Sequence, residues 1–315
     1  MRALAVSWQH RGMVDRTRRT LMAGLGVAAL APRLAVAAND TIKRAIPSSG
    51  EAIPVIGLGT SGTFDVASDE GSLAPLREVL ERFLTLGGRL VDTSPMYGRA
   101  ETALGALLSK APPEPKPFVA TKVWTRGREA GIAQLEDSER KIGRALDLVQ
   151  VHNLIDTDTH LDTLDRWKAE GRIRYTGITH YTRGAHDALE QAAEQRKVDF
   201  IQVNYSLAEP DADRRLLGFA QDRGIAVLAN RPFADGALFD RARGKEVPSW
   251  ARDELGIASW AQYFLKWIVS HPAVTCAIPA TSKAKHLADN LGAGAAPLPD
   301  AAQRARMAQD FAALR

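Results

Sequence analysis

Four ionisable side chains, Asp92, Tyr97, Lys122 and His152, stand where short apolar runs give way to loops. The runs Arg89-Leu90-Val91, Phe118-Val119-Ala120-Thr121 and Leu148-Val149-Gln150-Val151 deliver Asp92, Lys122 and His152. Tyr97 hangs on the loop after the first run, just past the Ser94-Pro95 break. These residue types suit proton transfer to a carbonyl oxygen while a hydride reaches its carbon. A tyrosine, with an unperturbed pKa of about 10, donates poorly near neutrality. A neighbouring ammonium favours the phenolate and lowers that value. Lys122 is the candidate ammonium, Asp92 its holder, and His152 the group that orients the carbonyl and assists proton transfer. Taken singly, each has a plainer reading: Asp92 as a cap or turn former, Tyr97 as packing, Lys122 as a solvated charge, His152 as a core histidine. Packing alone does not explain four such groups at adjacent strand ends.

The surrounding pattern supplies the elements that must position them. A first buried strand, Ile53 to Thr60, ends in a Gly loop, and Leu73 to Leu86 is helical, stopped by Gly87-Gly88. Helical periodicity follows from Glu101, over Ile132 to Leu146, Leu161 to Glu170, Ala185 to Glu194, Arg214 to Arg223, Ser259 to Ser270 and Lys283 to Gly292. Strands at Tyr175 to Ile178, Phe200 to Asn204, Ile225 to Ala229 and Thr275 to Ile278 lie between them, and an Ala-rich helix ends the chain. Strict βα alternation with near-continuous apolar strands predicts a parallel sheet. Eight units close as an α/β barrel, a (β/α)8 TIM barrel, whose C-terminal mouth gathers the strand-end residues. A doubly wound sheet is the runner-up, and the strand–loop–helix units lack its G-x-G-x-x-G fingerprint. The Pro-rich stretch 111–117 is short and predicts a stiff loop inside one domain.

The 315 residues are 45% hydrophobic and 25% charged, with a net charge of +4, which is ordinary globular composition. Beyond the first 19 residues, which hold five Arg and one Asp, charge is too mixed in sign to argue for nucleic acid. The single cysteine, Cys276, excludes an internal disulfide framework and suits inert core better than a reactive thiol. Residues 1–38 predict an address label, with a basic Arg16-Thr17-Arg18-Arg19 region, a modest apolar segment diluted by Gly24 and Gly26, and a small-x-small site at Ala35-Val36-Ala37. The Arg18-Arg19 pair resembles a twin-arginine export signal, so residues 39–315 are expected to form the mature domain in the periplasm, exported folded by the twin-arginine machinery. Met13 is an alternative start to Met1. An amphipathic N-terminal helix or an uncleaved anchor are the competing readings.

The ordered motifs Gly57-Leu58-Gly59-Thr60, Val91-Asp92-Thr93-Ser94 with Tyr97 and Glu101, Thr121-Lys122, Val151-His152-Asn153, the run from Phe200 to Ser206, and Ile278-Pro279-Ala280-Thr281-Ser282 are similar to those of the aldo-keto reductase superfamily. The similarity covers essentially all of the mature part. It implies NAD(P)H-dependent reduction of aldehyde or ketone carbonyls, with Asp92, Tyr97, Lys122 and His152 as the catalytic tetrad and Tyr97 as the acid. For the cofactor it implies Thr60 in the first loop and Gln202 at the carboxamide. The usual Ser-Asn carboxamide pair is Thr179-His180 here. The usual Tyr-Ser-Pro-Leu, whose ring stacks on nicotinamide, is Asn230-Arg231-Pro232-Phe233, so that ring is missing and Arg231 is placed at the pyrophosphate. Thr281, Ser282, Lys283, His286 and Asn290 match the adenosine-phosphate segment, where a helix start binds phosphate. Ala280 and His286 replace basic residues common in the family; an arginine reads a 2′-phosphate best through its planar fork. NADPH is the expected cofactor, with NADH the alternative. Phe64, Trp124 and Asn153 are the candidate walls for a small-molecule carbonyl substrate.

Two other classes compete. One is a non-catalytic, nucleotide-binding regulatory subunit on the same barrel, disfavoured by the intact tetrad. The other is a metal hydrolase, disfavoured by the lack of a His-x-His or His-x-x-x-His cluster. The leader gives a direct test. Arg18→Lys with Arg19→Lys is expected to leave unexported precursor in the cytoplasm when cell fractions are blotted; wild-type periplasmic levels would overturn the twin-arginine reading.

Overall fold

The computed structural model describes residues 41–314, so the leader read over 1–38 lies outside the described residues. The chain enters as an antiparallel pair, β1 (Lys43–Ala45) and β2 (Ala52–Pro54), joined through Pro47 to Gly50. Then come β3 (Leu58–Gly59), α1 (Glu70–Thr85), β4 (Leu90–Asp92), α2 (Ala100–Leu108), β5 (Phe118–Val123), α3 (Arg128–Ile142), β6 (Leu148–His152) and α4 (Thr157–Ala169). The second half holds β7 (Tyr175–Thr179), α5 (His186–Gln195), β8 (Phe200–Asn204), α6 (Leu216–Asp222) and β9 (Ala226–Asn230). After α7 (Ala237–Ala242), α8 (Ser249–Leu255) and α9 (Trp260–Val269) come β10 (Val274–Ala277), α10 (Ala284–Gly292) and α11 (Ala301–Ala313).

Strands β3 to β10 form one eight-stranded sheet in sequence order, and each named pair is parallel. The sheet closes on itself. Gly57 N–H donates to the Ala277 carbonyl at 2.8 Å, Ala277 N–H to that of Val55 at 2.9 Å, and Gly59 N–H to that of Pro279 at 3.0 Å. The seam demands glycine at position 59, because a Cβ there would lie 2.7 Å from the Ile278 carbonyl oxygen. The expected (β/α)8 barrel is therefore the fold.

Side chains alternate across each strand, and this period of two sorts the barrel. Val91, Val119, Val149, Val151, Ile178, Ile201 and Val203 pack outward with the helices. Leu90, Phe118, Leu148, Tyr175, Phe200 and Leu228 fill the interior at the N-terminal end, where Ile46 and Ile53 from the β1–β2 region join them. Phe118 stacks on Tyr175 at 5.6 Å between ring centroids, and Tyr175 meets Phe200 edge-on at 5.5 Å. Going up β4, β5, β6 and β8, the same inward series turns from apolar to polar: Leu90 to Asp92, Phe118 to Lys122, Leu148 to Gln150 and His152, Phe200 to Gln202.

Three details differ from the sequence reading. The expected strand Ile53 to Thr60 is two: β2 pairs with β1, and only Leu58–Gly59 joins the barrel. Pro54 has no N–H to donate, so regular pairing ends there. The third helix lies about one turn earlier than expected, because Gly143 at φ 73° ends it. The stretch after β9 contains α7 and α8, each too short for a clear helical period.

Helices α2 and α3 meet at a glycine. A Cβ on Gly105 would stand 1.9 Å from the Lys141 carbonyl oxygen, a backbone atom that cannot rotate away. Gly105→Ala is expected to lower stability by about 1–3 kcal/mol, the usual cost of overpacking. Chemical denaturation checks this; an unshifted midpoint would mean that the helices do not approach as closely as described.

Candidate active site

The polar top of the barrel interior is built around one buried ion pair. Lys122 Nζ donates to Asp92 Oδ1 at 2.5 Å and to the Thr93 carbonyl at 2.8 Å; Lys122 is 0% exposed and Asp92 2%. Asp92 Oδ2 accepts from Gln150 Nε2 at 3.1 Å and from Gln202 Nε2 at 2.9 Å. Gln202 Nε2 also donates to Gln150 Oε1 at 3.2 Å, and Asn230 Nδ2 donates to Gln202 Oε1 at 3.4 Å. Burial is the largest single effect on Lys122 and opposes its charge, but the Asp92 carboxylate and the Tyr97 oxygen together outweigh it and hold the ammonium above its ordinary pKa.

Tyr97 lies half-buried over this pair, with Lys122 Nζ 4.9 Å from its ring centroid. Burial raises the pKa of the phenol, and the nearby ammonium of Lys122 only partly offsets this. The expected lowering by Lys122 is thus outweighed: the phenol keeps its proton across neutral pH. His152 meets Tyr97 edge-on at 5.9 Å between centroids, and its Nδ1 is 3.0 Å from Ser94 Oγ. Burial, then the charges of Lys122 and His180, push the imidazole down to about 2, so it is neutral.

A cavity of about 750 Å³ opens above these groups. Of the residues picked out from sequence, Thr60, Asp92, Tyr97, Trp124, His152, Asn153, Thr179, Gln202, Arg231, Pro232 and Phe233 line it. Lys122 lies beneath, reaching the site through Asp92 and Tyr97. Phe64 does not form a wall; it is 0% exposed and belongs to the outer core. His180 also leaves the cavity. Its Nδ1 accepts from the backbone N–H of Tyr181 at 3.0 Å, which turns the ring onto its own loop, and Tyr181 lines the cavity instead. Arg231, at φ 48°, pairs with Asp235 at 2.9 Å and donates to the Tyr181 carbonyl at 3.3 Å. Thr281, Ser282, Lys283, His286 and Asn290 lie outside this cavity, at the start of α10 and along it. Ser282 does not cap α10; Thr281 Oγ1 accepts from Lys283 N–H at 3.1 Å, while Thr281 and Asn290 are buried and Ser282, Lys283 and His286 exposed.

Sequence reasoning missed Tyr181, Met96 and Phe239, which line the same mouth and are among the exposed large hydrophobics of the described residues. Tyr181 follows Thr179-His180 directly, and that position was its only signal. Asn230 was noticed only as a departure from a motif. The Oδ1 atoms of Asn230 and of Asn153, the latter at φ 55°, are buried without a protein partner.

The site is thus a buried Asp–Lys pair beneath a tyrosine and a neutral histidine at one end of a closed (β/α)8 barrel. Residues 55–307 match the Aldo/keto reductase family, and the chain belongs to it. It is 28% identical over 249 residues to a methylglyoxal reductase of Yersinia pestis, covering 76% of this chain and 86% of that protein. It is 29% identical over 279 residues to an uncharacterised oxidoreductase of Mycobacterium bovis, covering 76% and 83%. Among solved structures, an aldo/keto reductase of Klebsiella pneumoniae in complex with NADP and acetate is 25% identical, with a TM-score of 0.69 over 83% of this chain and 93% of that one.

The ion pair is the site's main stability risk. Lys122→Met leaves the Asp92 carboxylate buried without its cation and is expected to cost ~3–5 kcal/mol. Adding Asp92→Asn removes the orphaned charge, so the double variant should be more stable than Lys122→Met alone. Denaturation of both singles and the double measures the coupling; strictly additive losses would show that the pair does not act as one.

Proposed function

We propose that this protein is an oxidoreductase that reduces aldehydes or ketones to alcohols with NADPH. The observation that carries the reading is the phenol of Tyr97 at the cavity, set beside the buried Lys122–Asp92 pair, with Lys122 Nζ 4.9 Å from its ring centroid. The cavity suits an amide-bearing ring. Asn153 Oδ1 and Asn230 Oδ1 lack partners, and a carboxamide N–H is the kind of donor they require. Asn153 and Asn230 would hold that group, with Thr179 and Gln202 beside them. When bound, the reduced nicotinamide supplies a hydride to the carbonyl carbon. His152, neutral and lining the cavity, orients the carbonyl oxygen. Tyr97 gives that oxygen its proton, which completes the alcohol. The phenolate left behind lies next to Lys122, whose charge stabilises it until solvent returns a proton. Asp92 keeps Lys122 fixed and the net charge of the pair near zero.

For the nucleotide's far end, Thr281, Ser282 and Lys283 at the start of α10 would hold a phosphate, with His286 one turn along the helix. The NADP named for the Klebsiella relative supports NADPH over NADH. Export through the twin-arginine pathway belongs to the same proposal and rests on residues 1–38 alone. Because the cofactor binds a folded barrel, export of folded protein lets it travel already loaded.

Tyr97→Phe keeps the ring and removes the donor. NADPH oxidation with a panel of aldehydes should fall by at least about 10²–10⁴-fold, the typical contribution of a positioned acid, while NADPH binding followed by fluorescence titration stays close to wild type. Near-normal turnover in this variant, or no turnover of any aldehyde by the wild type, would overturn the reading, the latter in favour of a non-catalytic nucleotide-binding subunit.

A further inference from the structure

The catalytic reading gives His152 a task but leaves open which ring nitrogen carries its proton. Ser94, two residues after Asp92, sits against that ring, and both side chains are buried, Ser94 to 0% exposure and His152 to 5%. Ser94 Oγ lies 3.0 Å from His152 Nδ1, and it already accepts the backbone N–H of Met96 at 3.3 Å. A serine hydroxyl offers one proton and two acceptor lone pairs. Among the described residues, Nδ1 is the only acceptor within hydrogen-bond reach of that proton. If Nδ1 were the protonated nitrogen, Ser94 Oγ would accept twice and its own proton would be buried without a partner, the arrangement that folded proteins avoid. One arrangement satisfies every atom: Ser94 O–H donates to an unprotonated Nδ1, and the proton of the neutral imidazole resides on Nε2.

We infer that Ser94 is a positioning residue that locks His152 in its Nε2-protonated tautomer, so that the ring presents an N–H, not a lone pair, to the substrate carbonyl oxygen. This rests on the proposed carbonyl chemistry for its consequence, though not for its geometry. No described residue bonds Nε2, and His152 lines the cavity, so that nitrogen is left to the ligand. The polarity matters. A carbonyl oxygen accepts hydrogen bonds only, and a lone pair on Nε2 would repel it just where Tyr97 must deliver its proton. The backbone helps hold the geometry: Tyr97 N–H donates to the Ser94 carbonyl at 3.1 Å, so the turn that aims the serine also carries the acid.

The test uses the full-length protein labelled with ¹⁵N-histidine, alone and with NADPH. Long-range ¹H–¹⁵N correlation spectra are expected to show His152 with a protonated Nε2 and a bare Nδ1. Ser94→Ala should shift both nitrogens toward averaged values as the tautomers mix. It should also lower kcat/KM by about tenfold, the scale of one lost hydrogen bond, with the dissociation constant for NADPH unchanged. Ser94→Thr keeps the hydroxyl and should restore both the spectrum and the rate. A protonated Nδ1 in the wild type, or an unaltered His152 spectrum in Ser94→Ala, overturns the inference. Because the spectrum is read without turnover, its outcome stands apart from that of Tyr97→Phe, which tests the carbonyl chemistry itself.

Discussion

The ion pair between Lys122 and Asp92 is the constraint on which the rest of the site depends. Both groups are out of water, and removing two charges from water is costly unless geometry and further hydrogen bonds compensate. Here the compensation is nearly complete. Lys122 is bonded to Asp92 and to the Thr93 carbonyl, and the second oxygen of Asp92 takes two amide N–H groups from Gln150 and Gln202. The pair therefore ties β4, β5, β6 and β8 together across the barrel interior. An apolar layer would hold those strands equally well. What it would not provide is a fixed positive charge directly under a phenol.

Burial acts on the two rings above that charge as well. The desolvation that raises the pKa of Tyr97 also strips His152 of its charge. The site so holds a phenol and a neutral imidazole over an ion pair whose net charge is near zero. In the proposed reaction a phenolate would form beside that preset ammonium, and a low-dielectric setting would strengthen their attraction. The glycine seam between Gly57, Gly59 and the last strand bears on this too, since the barrel must close tightly for its interior to stay dry.

The loops above the barrel follow a different logic. Positive φ values cluster in them, at Asn153, Leu154 and Asp156 after β6 and at Arg231, Ala234 and Asp235 after β9. Backbone held in that region by residues other than glycine is strained and persists where surrounding contacts enforce it. Asn153 and Arg231 both face the cavity, one with a buried oxygen lacking a partner and the other paired with Asp235. These loops contribute Asn153 and Arg231 to the cavity lining above the strand ends.

The amino-acid sequence alone determined the alternation of strands and helices and the polar residues at strand ends, because both are written in local periodicity. Inward positions two apart on β4, β5 and β6 carry Asp92, Lys122 and His152, and eight such units leave little choice but closure. The sequence was silent wherever a position depends on what lies far away in the chain. The break at Pro54 and the β1–β2 pair are visible only once Ile46 and Ile53 are seen filling the barrel floor. Phe64 is a wall by loop position and a core residue by packing, and the ring of His180 turned aside to accept two backbone N–H groups, leaving Tyr181 in its place. The direction in which the pKa of Tyr97 moves was decided by tertiary structure as well. A neighbouring lysine can be inferred from spacing, but desolvation, which outweighed it, is the sum of every atom that folding brings around the phenol.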